Sequence, residues 1–333
     1  MRAGAGTTLL AVRRLKVHYP LPGEWPWSKP GWVKAVDGVD FNLAAGETLG
    51  IVGESGCGKS TLARALVGLQ PVTSGGVTFD GHNLASLDAA GWRPFRREIQ
   101  IVFQDPLASL DPRMTIGAIV AEPLQALYPE LGRAEREARV AQMLERVGLS
   151  KSLMDRYPHE FSGGQCQRVG IARALVVRPR ILVCDEPVSA LDVSVQAQVV
   201  NLLADLQAEY GLAMIFIAHD LAVVRHISRR VLVMYLGKVM EQADGDALFA
   251  TPVHPYTRAL LAAAPAPDPA AARSHRREPL EGEVPSPANP PTGCVFVTRC
   301  PIADAHCARH VPVLTRAVHG GYSACHFTAA PAG

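Results

Sequence analysis

The sequence predicts an α/β fold built on a mostly parallel, buried sheet. Three observations predict it. Glu47 to Val52 (ETLGIV) reads as a short buried strand that feeds a glycine-rich turn and then a helix over Thr61 to Leu69 (TLARALVGL). Further short, β-rich apolar runs at residues 99–103 (IQIVF), Ile181 to Cys184 and Met214 to Ala218 alternate with stretches of helical periodicity, the pattern of strands covered on both faces. The chain has 333 residues, 48% of them apolar, which suffices for one large α/β domain and a smaller appendage.

Taken in order, residues 9–18 (LLAVRRLKVH) read as an opening strand that ends at Tyr19. Residues 20–32 are rich in Pro, Gly and Trp and read as an inserted loop carrying Trp25, Trp27 and Trp32. Val33 to Leu43 is strand-like and leads to the glycine turn. From Thr115 to Leu149 the periodicity is helical: Ile116, Ile119, Val120 and Leu124, then Val140, Met143, Leu144 and Val147, recur at three- and four-residue steps. Near residue 262 the composition shifts, and residues 264–292 are dominated by Pro, Ala and charge, as in an extended linker. No internal repeat is present.

Composition limits the function classes. The net charge is only +2, which offers no electrostatic case for a nucleic-acid partner. The longest apolar stretches, Leu212 to Ala218 and Val231 to Leu236, are too short to cross a bilayer. The N-terminus lacks the apolar core of a signal peptide, so the chain is expected in the cytosol, brought to any membrane by a partner. Of the seven cysteines, Cys57, Cys166 and Cys184 are scattered, and four fall between Cys294 and Cys325. In a reducing compartment that clustering points to metal binding rather than to disulfides.

The glycine turn carries the clearest chemistry. Gly53-Glu54-Ser55-Gly56-Cys57-Gly58-Lys59-Ser60 fits G-x-x-x-x-G-K-[ST] without a mismatch. Its glycines let successive backbone N–H groups turn inward around a polyphosphate, Lys59 supplies charge to the β- and γ-phosphates, and the Ser60 hydroxyl is placed for Mg²⁺. The helix that follows brings its positive end to the anion. Further signals appear in sequence: Gln104 after the strand IQIVF; Ser162-Gly163-Gly164-Gln165 before a helix, where Ser162 reads as an N-cap; Asp185 and Glu186 at the end of an apolar strand; Ser189-Ala190-Leu191-Asp192; and His219 after the strand MIFIA.

This set, in this order, resembles the ATP-binding subunit of the ABC transporters over residues 9–261. The resemblance implies a P-loop ABC ATPase domain with a mostly parallel sheet core, an antiparallel β subdomain and a helical signature subdomain. It implies ATP and Mg²⁺ as cofactors. Gly53, Ser55, Gly56, Cys57, Gly58, Lys59, Ser60, Thr61 and Gln104 are expected to bind ATP, with Tyr19 stacking on adenine. Ser60, Gln104 and Asp185 are expected around Mg²⁺, Glu186 as the general base for water, and His219 on the γ-phosphate. Ser162, Gly163, Gly164 and Gln165 are expected to bind ATP held by a second ATPase subunit.

Local features resemble the dipeptide and oligopeptide importer subgroup, which also includes nickel and glutathione importers. They are Asp105 to Arg113 (DPLASLDPR), His254-Pro255-Tyr256-Thr257 and the cysteine tail. Phe161 to Gln165 and the loop at 20–32 resemble the F-type ATPase of such a pair. The expected organisation is an ABC ATPase domain over 1–262 with its helical subdomain at about 105–175, a linker over 263–292, and a small cysteine-bearing tail domain over 293–333. The expected activity is ATP hydrolysis that powers peptide import. The expected partners are a related second ATPase, two permeases and an extracytoplasmic peptide-binding protein. The expected location is the cytoplasmic face of the membrane, as a peripheral subunit. A soluble, non-transport ABC ATPase is the alternative; such proteins usually carry two cassettes or a long coiled coil, and this chain has neither. A non-hydrolysing regulatory subunit is disfavoured by the presence of Glu186 and His219. Cys166, beside the signature, departs from the family pattern and is expected to alter loop chemistry or thiol sensitivity modestly. Cys294, Cys300, Cys307 and Cys325 are separated by five, six and seventeen residues. By composition they could hold a zinc ion, an iron–sulfur cluster or nothing; the resemblance implies a [4Fe–4S] cluster.

Overall fold

The computed structural model describes residues 8–21, 31–263 and 282–328. In chain order the elements are β1 (Thr8–Leu21), β2 (Gly31–Ala44), β3 (Thr48–Val52), α1 (Lys59–Leu66), β4 (Ser74–Phe79), β5 (His82–Asn83), α2 (Ala89–Trp92), β6 (Ile99–Val102), α3 (Ile116–Leu127), α4 (Arg133–Arg146) and α5 (Gly163–Leu175). They continue with β7 (Ile181–Asp185), α6 (Val193–Tyr210), β8 (Ala213–Ile217), α7 (Leu221–Ile227), β9 (Arg230–Tyr235), β10 (Lys238–Asp244), α8 (Gly245–Ala250) and α9 (Pro255–Ala263). The tail adds α10 (Ala305–Arg309), β11 (Thr315–Arg316) and β12 (Tyr322–Ser323). Trp25 and Trp27, and most of the expected linker, lie outside the described residues.

The elements gather into two compact units that interleave along the chain. One consists chiefly of residues 86–218 with 43–48. Its strands β6, β7 and β8 pair in parallel, Ile99 opposite Ile181 and Ile181 opposite Ala213. Every residue of β7 and β8 is buried, which explains why both read as unbroken apolar runs. The same unit holds the helical part, where α3 packs on α4 and α5. The stretch of helical periodicity over 115–149 holds two helices. Pro129 denies Tyr128 a helical conformation, and Tyr128 ends α3 at φ −129° and ψ 62°. The chain restarts as α4 after Gly132.

The other unit consists chiefly of residues 10–42, 49–85 and 219–328. It contains a sheet ordered β2-β1-β4-β5, with β1 and β4 antiparallel. It also contains β3, which pairs in parallel with β9 from Leu49 opposite Arg230 to Val52 opposite Val233. β9 continues antiparallel to β10, and β10 to β12. The tail thus extends this sheet, and Ala324 N–H donates to the Met240 carbonyl at 2.8 Å. Residue 287, inside the expected linker, is also tied down: its carbonyl accepts from Lys34 N–H at 3.1 Å.

Candidate functional site

The phosphate loop runs from the end of β3 into α1, as its pattern predicts. Its shape depends on glycine. Gly58 has φ 106°, and a Cβ there would lie 2.0 Å from the Ala35 carbonyl oxygen. A Cβ at Gly53 would lie 2.2 Å from the Met234 carbonyl oxygen. Both positions are closed to any side chain. Lys59 is 4% exposed. Its Nζ donates to the carbonyls of Gly53 at 2.8 Å and Glu54 at 3.1 Å, so the ammonium is held inside the loop it closes. Burial pushes the Cys57 thiol up, which keeps it neutral beside that ammonium. Such a cradle, with a captive cation and side-chain-free turns, fits a polyphosphate. Ser60 and Thr61 follow in the first turn of α1.

The carboxylate pair sits in the other unit. Asp185 ends β7 and is 2% exposed. Glu186 follows with φ 48°, a left-handed conformation rare for a residue with a Cβ. Its N–H donates to the Ile217 carbonyl at 3.1 Å, and Ser189 Oγ donates to its carbonyl at 3.1 Å. Its carboxylate oxygen accepts from Gln104 Nε2 at 3.1 Å. The structure thus brings Gln104 to Glu186, a contact that reading the sequence did not foresee. Backbone strain at a strand-end carboxylate, fixed by hydrogen bonds through its N–H, carbonyl and carboxylate, is the kind of distortion that accompanies functional positioning.

The Ser162 segment forms a capping box on α5. Ser162 Oγ accepts from Gln165 N–H at 3.3 Å, and Gln165 Oε1 accepts from Ser162 N–H at 2.9 Å. This bears out the N-cap reading of Ser162. Ser162 and Gln165 are exposed. Gly163 and Gly164 open the helix, and a Cβ at Gly164 would lie 2.5 Å from Val195 Cγ1. Cys166 is fully buried, burial raises its thiol pKa, and its Sγ faces the Pro158 carbonyl at 3.6 Å. Of the two effects that its position leaves open, loop chemistry or thiol sensitivity, burial disfavours the second.

His219, exposed, follows β8 and precedes α7, and Tyr19 lies half-buried near the end of β1. In the tail, Cys294 and Cys307 are buried, whereas Cys300 and Cys325 are partly accessible. Burial, followed by the neighbouring thiols, pushes Cys294 up to about 11. Among the described residues no group of three or more His, Cys, Asp or Glu side chains stands arranged to hold a metal ion. The four cysteines, as placed, do not fit the expected [4Fe–4S] ligand set.

Sequence reading missed two anchors. Arg299, from the tail, forks onto Glu54 of the phosphate loop, with Nη1 to Oε2 at 2.7 Å and Nη2 to Oε1 at 3.1 Å. Glu241 of β10, fully buried, accepts from the N–H groups of Val253 and His254 at 3.0 Å each and contacts His319 Nε2 at 2.8 Å. His254 is buried, which lowers its pKa to about 4, and its Nδ1 accepts from Tyr256 N–H at 3.0 Å. The sequence foreshadows these anchors only as subgroup markers, the His254-Pro255-Tyr256-Thr257 string and Arg299-Cys300-Pro301 of the tail, with no role attached to either.

A family model described as ABC transporter matches residues 36–189, and one described as oligopeptide/dipeptide transporter, C-terminal region, matches residues 240–307. The chain is 59% identical over 308 residues to the oligopeptide transport ATP-binding protein OppF of Salmonella typhimurium, covering 92% of each. It is 55% identical over 319 residues to OppF of Haemophilus influenzae, covering 95% of this chain and 96% of that one. Among solved structures it resembles the ATP-binding cassette MJ0796 bound to ADP and Pi, with a TM-score of 0.63, 30% identity, and coverage of 71% of this chain and 98% of that one. It also resembles cbiO1 of Clostridium perfringens, with a TM-score of 0.62, 32% identity, and coverage of 73% and 91%. Sharing more than half of its residues, along nearly its whole length, with transport ATP-binding proteins, this chain belongs to the ABC transporter family, among its ATP-binding ATPase subunits.

Proposed function

We propose that this chain is the ATP-hydrolysing subunit of an oligopeptide importer. The observation that carries the reading is its likeness, along nearly its whole length, to oligopeptide transport ATP-binding proteins, tail region included. No helix among the described residues is long and apolar enough to cross a membrane. In this reading the chain works as a peripheral subunit on the cytoplasmic face, beside two permeases, a second related ATPase and an extracytoplasmic peptide-binding protein.

In this reading the phosphate loop from Gly53 to Ser60, with Thr61, holds the phosphates, and Lys59 turns its charge from the Gly53 and Glu54 carbonyls toward them. Tyr19 stacks on the adenine. Ser60, Gln104 and Asp185 would hold Mg²⁺, which when bound would supply charge neutralisation to the phosphates. Glu186 takes the proton of the attacking water, with Gln104 orienting its carboxylate and His219 steadying the γ-phosphate. Ser162, Gly163, Gly164 and Gln165 offer the open N-terminus of α5 to ATP on the second ATPase. Residues 104–124, which include the exposed Leu107, meet the permease. The domain plan of an ATPase domain, a linker and a cysteine tail belongs to this reading.

The test is ATP turnover by the complex assembled with its permeases. Peptide-loaded binding protein stimulates turnover, while nickel or glutathione does not. Stimulation by nickel or glutathione alone would assign the chain to those related importers.

The finer reading of the tail as a [4Fe–4S] centre has one support. The thiols of Cys294, Cys300 and Cys307 are each raised by burial and, less strongly, by other tail cysteines, and a bound cation would reverse that coupling. Against it stands the lack of a ready ligand set. Metal analysis of anaerobically purified, folded protein decides the matter. Stoichiometric iron with broad visible absorption supports the cluster, zinc alone redirects the site to zinc, and neither metal ends the reading.

A further inference from the structure

We infer that Arg299 is a positioning residue for ATP binding: from the tail it holds and neutralises the Glu54 carboxylate, keeping the phosphate loop receptive to a polyphosphate. The inference rests on the reading of Gly53 to Ser60 as the ATP phosphate site.

Glu54 places a negative charge within the loop that must accept an anion. Left alone, that carboxylate would repel the phosphates over a range of about one Debye length, roughly 8 Å at physiological ionic strength. The structure disposes of it in two ways. The Glu54 backbone N–H donates to Tyr256 Oη at 3.0 Å, which fixes the chain at this point. The side chain is then gripped by both terminal nitrogens of Arg299, a planar fork matched to a carboxylate. The Arg299 side chain is 6% exposed and that of Glu54 25%. Arg299 Nη1 also reaches Tyr235 Oη at 3.5 Å, and its guanidinium carbon lies 5.8 Å from the Tyr235 ring centroid. Tyr235, Tyr256 and Phe296 pack as one aromatic cluster, with ring centroids 4.8–5.3 Å apart, and so bind the tail to the elements that carry the loop. The hydrogen bond to Glu54, above all, raises the Arg299 pKa, so the guanidinium stays charged at any working pH. The separation of 245 positions between the two partners makes this a contact between the tail and the phosphate loop rather than a local turn device.

A structural tether and a charge-cancelling partner predict different variants. The full-length chain is titrated with Mg²⁺-ATP at several salt concentrations. Arg299→Gln weakens binding roughly tenfold, most strongly at low salt, the order expected of one uncompensated charge near the ligand. Arg299→Lys, which keeps the charge but loses the fork, stays within about twofold of the parent. Glu54→Gln shifts affinity the other way, tightening ATP about two- to threefold, because Arg299 then faces the phosphates uncompensated. The double variant Glu54→Gln/Arg299→Gln, in which both charges are removed together, returns affinity to near that of the parent. It keeps the test decisive if Arg299→Gln fails to fold. The inference is overturned if Arg299→Gln binds ATP like the parent, or if Glu54→Gln weakens binding as much as Arg299→Gln does, which would make the pair a plain tether. Lys59→Ala in the same titration separates the two levels: its failure to weaken ATP binding removes the phosphate-site reading itself, whereas its success alongside an unaffected Arg299→Gln removes only the role of Arg299.

Discussion

A Glu186→Gln chain, assembled with its partners, binds ATP but hydrolyses it about 10²–10⁴-fold more slowly, the loss expected when a general base is removed. The substitution is close to isosteric. It leaves the hydrogen bonds of the Glu186 N–H to the Ile217 carbonyl and of Ser189 Oγ to the residue 186 carbonyl, both at 3.1 Å. An amide oxygen still accepts from Gln104 Nε2, so the loop geometry persists while the proton acceptor is lost. The left-handed φ of 48° at this residue costs on the order of 1–2 kcal/mol, and the structure tolerates that cost at the end of a fully buried strand. The check is steady-state turnover with a parallel nucleotide-binding titration. Turnover within twofold of the parent takes the role of base away from Glu186.

Lys59→Ala acts one step earlier, on binding. The buried ammonium is held by two carbonyls at 2.8 and 3.1 Å, and no other side chain of the loop carries positive charge. A charged hydrogen bond contributes about 1.5–3 kcal/mol, so its loss weakens ATP by roughly 10–100-fold. Turnover at saturating ATP falls as well, because the same charge faces the γ-phosphate as the bond breaks. The two variants therefore separate: one spares affinity and loses chemistry, the other loses affinity first. Equal ATP affinity in the Lys59→Ala chain contradicts the phosphate-loop assignment.

Much of this site is readable in the sequence because its parts are local. A phosphate loop is eight consecutive residues whose glycines are required by backbone geometry, and Gly58 shows why: no Cβ fits beside the Ala35 carbonyl. The capping box at Ser162 and Gln165 spans four residues, and β7 and β8 announce their burial by composition. What periodicity blurred was the break between α3 and α4, since apolar residues continue at helical spacing on both sides of Pro129. What it could not carry at all were partners far apart in the chain. The Arg299–Glu54 fork joins residues 245 apart, and the Glu241–His319 pair joins residues 78 apart. Neither has a spacing rule. The burial of Cys166 is hidden for a related reason: its place beside an exposed signature says nothing of the direction in which its side chain points, which is inward.

The central claim is that ATP hydrolysis by this chain drives peptides across a membrane. Its most direct test is transport of a labelled oligopeptide by the complex in proteoliposomes. These carry the assembled complex with the ATPase face outward and the peptide-binding protein inside, and ATP is added to the bath. The account predicts ATP-dependent export of preloaded labelled peptide from the lumen to the bath, the topological equivalent of import, abolished by Glu186→Gln in this chain. Peptide movement that continues undiminished in the Glu186→Gln complex, or ATP turnover that proceeds with no peptide movement at all, would contradict it.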